Sequence, residues 1–87
     1  MPVFMVEREI PGITMEQLGD AQKSAIETSD RYSAEGRAVR YIRTAWVPSE
    51  SRGMCFFEAV DAETVKAVNE DAGIPFTRIS EALDLTP

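Results

Sequence analysis

Histidine is absent from this 87-residue chain. With it go the commonest general acid/base and the commonest transition-metal ligand. Cysteine is nearly absent too: Cys55 stands alone, which excludes an intramolecular disulfide and suits a reducing cytoplasm. No apolar run approaches the roughly 18 residues that a membrane span needs. Glu7, Arg8 and Glu9 break up the N-terminus before the apolar core of a secretory signal can form. Positive charge is scarce. Nine Lys and Arg against fifteen Asp and Glu leave a formal net charge of −6, and that bulk field repels nucleic acid and anionic membranes. Repeats, low-complexity tracts and dividing linkers are missing as well. What remains is an ordinary globular composition, 44% hydrophobic and 28% charged, sized for one domain over residues 1–87. The expected setting is the cytoplasm, with neither a nucleic-acid nor a membrane partner.

Local patterning predicts six elements. Val3 to about Glu9 is apolar with β-branched and aromatic members and reads as a strand, stopped by the Pro11-Gly12 turn. Thr14-Met15-Glu16-Gln17 spells a capping box. Met15, Leu18, Ala21, Ala25, Ser29 and Tyr32 then fall on one stripe of a helix reaching about Ser33. Val39–Val47 is the longest strand candidate, ended by Pro48, and a polar loop joins it to a partner strand over Met54–Ala59. Asp61 caps a second helix with Ala62, Val65, Val68 and Ala72 inward, and Gly73 with Pro75 stops it. Phe76–Ala82 makes a last strand, and residues 83–87 form a short tail.

The order β-α-β-β-α-β is the ferredoxin-like split unit, an α+β fold. Right-handed crossovers place both helices on one face of a four-stranded antiparallel sheet. Strand alternation assigns Phe4, Val6, Ile42, Cys55, Phe57 and Ile79 to the covered face. Met5, Glu7, Tyr41, Arg43, Ala45, Phe56 and Glu58 then lie on the other, which no element of the chain covers. That face is too apolar for open solvent. A second copy is the simplest cover, giving a two-fold homodimer.

Glu7, Tyr41, Arg43 and Glu58 share one parity and are the candidate ligand-binding residues. Two nearby carboxylates can raise a pKa and suit proton transfer; the plainer role is an ion-paired interface centred on Arg43. Cys55 sits in an apolar strand with no histidine to activate it, so it reads as structural. The run Asn69-Glu70-Asp71 lacks a calcium-loop spacing and reads as solvated surface. No catalytic residue is assigned.

Four segments match a known family in order: M-P-V-F-M-V-E-R-E-I-P-G at the start, V-R-Y-I-R-T in the second strand, C-F-F-E-A-V-D-A-E in the third, and A-G-I-P-F-T-R-I near the end. Over roughly residues 1–82 the chain resembles domain-of-unknown-function family 4242, small ferredoxin-like proteins that include nickel-binding members. The resemblance implies a cytoplasmic homodimer and, for some members, a divalent metal such as nickel. Many members carry an aromatic, then His or Arg, then Tyr at alternate positions of the second strand, where this chain has Tyr41, Arg43 and Ala45. Members also often carry a helix histidine where this chain has Val68. Nickel(II) favours imidazole, and only carboxylates, Cys55 and the amine of Met1 remain as donors, so no metal residues and no cofactor are assigned. Two readings follow. One is a non-catalytic homodimer that binds a small molecule. The other is a small cofactor-free enzyme of the dimeric α/β-barrel type, monooxygenase- or isomerase-like, with its site between sheet and helices; a perturbed carboxylate in a polar pocket would mark it.

Overall fold

The computed structural model describes residues 1–85 and 87. β1 (Val3–Glu9) leads through the Pro11-Gly12 turn to Thr14. The Thr14 hydroxyl accepts from the Gln17 amide at 3.1 Å, and the Gln17 side chain accepts from the Thr14 amide at 3.0 Å. This reciprocal box satisfies two amides that would otherwise lack partners and opens α1 (Met15–Ala34). β2 (Val39–Val47) follows, then a 3-10 turn over Pro48–Glu50 and Ser51 in the left-handed region at φ 51°. β3 (Arg52–Ala59) begins two residues earlier than its apolar run predicts. The Asp61 carboxylate accepts from the Thr64 amide at 2.9 Å and its hydroxyl at 2.8 Å, capping α2 (Ala62–Asp71). β4 (Arg78–Ala82) is shorter than predicted by two residues. Residue 86 of the predicted tail lies outside the described residues.

The strands form one antiparallel sheet in the order β2-β3-β1-β4, giving the α+β arrangement expected of the split unit. Its core joins Phe4 and Val6 of β1, Val39 of β2, and Cys55, Phe57 and Ala59 of β3 to Ala25 of α1, Val65 and Val68 of α2, and Ile74. Val6, Phe57, Val65 and Val68 are fully buried, and each contributes about 1.5–3 kcal/mol through removal from water. Ile79 packs against this cluster as expected. No helix among the described residues is long and apolar enough to cross a membrane.

Ile42 departs from its expected place. Tyr41 pairs with Phe57 and Arg43 with Phe56, so Ile42 is the extra residue of a β-bulge. A bulge sets two residues against one and reverses the alternation beyond it. Val39 and Tyr41 therefore share the helix-covered face with Thr44 and Trp46, while Arg40, Arg43 and Ala45 share the open one. Tyr41 is thereby moved to the face opposite the one its parity predicts. Ile42 lies outside the core cluster.

Candidate functional site

The bulge turns Tyr41 under α1, where its ring meets Phe57 edge-on at 5.6 Å between centroids. Its hydroxyl accepts from Gln22 Nε2 at 2.8 Å and shares a 2.5 Å hydrogen bond with Thr44 Oγ1. Thr44 Oγ1 lies 3.1 Å from Cys55 Sγ, and that sulfur accepts from Arg8 Nε at 3.4 Å. Arg8 continues the path: Nη2 donates to Asn69 Oδ1 at 2.7 Å and Nη1 to the Pro75 carbonyl at 3.2 Å. One polar chain thus runs from α1 across β2, β3 and β1 to α2.

Beside this chain lies a cavity of about 260 Å³ between the first half of α1 and the sheet. Leu18, Ala21, Ala25, Trp46 and Ile74 make apolar walls, and Arg8, Gln22, Tyr41, Thr44 and Cys55 supply the polar ones. Trp46 is held there because Gly53, opposite it on β3, has no side chain; a Cβ would stand 2.7 Å from the indole. Arg8 is 4% exposed. Among the described residues it is the only charged side chain on the cavity wall, and no carboxylate pairs with it. The wall holds no Asp or Glu.

Arg8, Gln22 and Thr44 are absent from the candidate site residues read from the sequence. One signal was present: Arg8 falls in phase with Phe4 and Val6, a cation at a core position of β1. Asn69, expected on a solvated surface, is fully buried and bonds Arg8. Its neighbour Asp71 accepts from Arg31 and, at 3.2 Å, from Tyr32 Oη. Those bonds hold the Asp71 carboxyl below its usual range, hydrogen bonding to Arg31 contributing most.

The four sequence candidates do not assemble. Glu7, Arg43 and Glu58 share the open face, and Tyr41 lies on the other. Arg78 Nε donates to Glu7 at 2.7 Å, with Arg52 at 3.7 Å from the same carboxylate. Glu58 pairs with Arg40 at 3.5 Å. Arg43 turns from both glutamates to Asp84 at 3.0 Å and lies over the Phe56 ring at 5.2 Å. In place of one cluster, Glu7, Glu58 and Arg43 each pair with other residues, in four ion pairs around an apolar strip of Val3, Met5, Phe56 and Ala82.

The donors present do not fit a nickel site. Among the described residues no three His, Cys, Asp or Glu side chains gather to hold a metal ion. Cys55 faces a guanidinium, which repels a cation, and the Glu7 carboxylate is already occupied by two arginines. Val68 is fully buried in the core.

No curated protein matches the chain. The crystal structure of SCO4226 from Streptomyces coelicolor A3(2) superposes with a TM-score of 0.79 at 26% identity, covering 98% of this chain and 99% of that one. The family profile described as nickel responsive protein SCO4226-like matches residues 4–82. This chain belongs to the SCO4226-like family.

Proposed function

We propose that this chain is a non-catalytic binding protein for a small molecule, acting as a homodimer, with the ligand held in the cavity between α1 and the sheet. The observation that carries the reading is the cavity itself, an apolar chamber with a few converging polar groups, which is the usual form of a ligand site. Nothing on its wall serves as a carboxylate or histidine base, so the cofactor-free enzyme is the weaker reading. Kinship with domain-of-unknown-function family 4242 belongs to the same proposal and agrees with the family found. The nickel in that family's description stays outside it, because the donor set here is unsuitable.

The second half of the reading concerns the open face. Val3, Met5, Phe56 and Ala82 are half-buried there without a helix above them. Paired charges of both signs rim the strip, so the same face of a second copy meets it without net repulsion. Native mass spectrometry of the untagged protein as purified tests both halves. The expected result is a dimer carrying a non-covalent organic adduct. A monomer at micromolar concentration overturns the dimer. Failure of any small organic molecule to bind when the protein is screened overturns the ligand site.

A further inference from the structure

We infer that the cavity takes a small amphipathic monocarboxylate, its carboxylate at Arg8 and its apolar body against Leu18, Ala21 and Trp46; this rests on the ligand-binding reading above. The Arg8 guanidinium presents five N–H groups in a rigid fork. Three hydrogen bonds engage it within the protein, to Cys55 Sγ, the Pro75 carbonyl and Asn69 Oδ1. These acceptors spread over both terminal nitrogens and Nε, and N–H capacity remains on the two terminal nitrogens. The Pro75 carbonyl and Asn69 amide are neutral, and Arg8 forms no ion pair with a carboxylate among the described residues. A buried guanidinium without an anion is unfavourable, and carboxylate geometry matches the fork.

The rest of the cavity sets the remainder of the ligand. Its volume of about 260 Å³ falls below the roughly 300–1,000 Å³ of pockets for drug-sized molecules. The Thr44 and Tyr41 hydroxyls and the Gln22 amide add neutral hydrogen-bonding groups on one side. The other walls are apolar, which suits one charged end and one hydrocarbon end. An inorganic dianion leaves those walls uncovered. A cation meets the guanidinium directly. The chain's net charge of −6 makes attraction of an anion a local property of Arg8 rather than of the bulk field.

Benzoate, the isosteric neutral benzamide and inorganic phosphate serve as probes, read by isothermal titration calorimetry and by emission of Trp46, the only tryptophan in the chain. Benzoate is expected to bind at least tenfold more tightly than benzamide, to change Trp46 emission saturably, and to exceed phosphate. Arg8→Met, checked for folding by circular dichroism, is expected to abolish the preference for benzoate over benzamide. Gly19→Leu is the second variant. A Cβ at Gly19 meets nothing within 4 Å, so leucine fills the cavity mouth without entering the core, and loss of benzoate binding of at least tenfold is expected. Equal affinity for benzoate and benzamide overturns the carboxylate assignment and leaves the binding reading intact. Benzoate binding unaffected by Gly19→Leu and silent to Trp46 overturns the location. Absence of binding by benzoate, benzamide and phosphate alike overturns the monocarboxylate class, while the cavity reading falls only if the wider screen of small organic molecules also finds nothing.

Discussion

The indole of Trp46 lies directly across the bare Cα of Gly53, so close that a Cβ there would stand 2.7 Å from Cε3 and 3.1 Å from Cζ3. Glycine in a strand interior ordinarily weakens it. Here it admits the ring that closes one end of the cavity. Gly53→Ala should displace the indole or bend the strand and cost about 1–3 kcal/mol, as overpacking does. Urea unfolding measures the loss, and a shift of Trp46 emission in the folded variant shows that the ring has moved.

Phe56 sits on the open face beneath the Arg43 guanidinium, 5.2 Å from its ring centroid. If a second copy covers this face, a charge placed there is buried against its own symmetry mate. Phe56→Asp should convert a micromolar dimer to monomer in analytical ultracentrifugation without loss of the helical signal. A wild-type monomer at that concentration removes the interface.

The sheet, its helices and their caps were legible because each depends on residues near in sequence. The Thr14–Gln17 box, the Asp61 cap and the Gly73 stop all stand where their local spelling places them. Strand parity was legible in β1 and β3, where Phe4, Val6, Cys55 and Phe57 are buried as expected. It failed in β2 because nine residues there face eight in β3, and the surplus at Ile42 appears only when the strands are paired. The same slip carried Tyr41 to the cavity side. Arg8 and Asn69, 61 positions apart in sequence, meet only through tertiary packing. A cation in phase with the core was the single trace of that meeting.

Nickel binding should be weak. The chain has no imidazole, and the described residues bring no three ligating side chains together. Titration calorimetry at neutral pH with untagged protein is the measurement, since a histidine tag would create the signal. A stoichiometric submicromolar site would contradict the expectation and direct attention to the Met1 amine and the open-face carboxylates.

Asn69 is fully buried; its Nδ2 donates to the Val65 carbonyl at 2.8 Å while its Oδ1 receives Arg8. Asn69→Leu keeps the branching of the side chain and removes an acceptor from a buried guanidinium. Hydrogen bonds to charged groups contribute about 1.5–3 kcal/mol, and a destabilisation of at least that order is expected in urea unfolding. Asn69→Asp tests the complementary point. It supplies the missing anion, and it should weaken benzoate binding even where it preserves the fold.

Asp71 ties the end of α2 to α1 through Arg31 and Tyr32. Its carboxyl is held below the ordinary value by hydrogen bonds from those two side chains, Arg31 contributing most. A group whose folded pKa is depressed adds stability that is present above its unfolded pKa, near 3.9. That stability is lost as the pH falls through the lower folded value. The alkaline limit comes from Tyr32, raised above its ordinary value first by burial and then by its bond to Asp71. A raised folded pKa gives stability present below about 10 and lost as the pH rises through the folded value. Asp71→Asn should therefore have a lower urea midpoint than wild type at neutral pH, and the two should converge as acid protonates the wild-type carboxylate. Arg31 and Asp71 are solvent-exposed, so added salt should narrow the neutral-pH gap by screening. Curves that stay parallel from neutral pH to below 3 would show that the clamp carries no proton-linked stability.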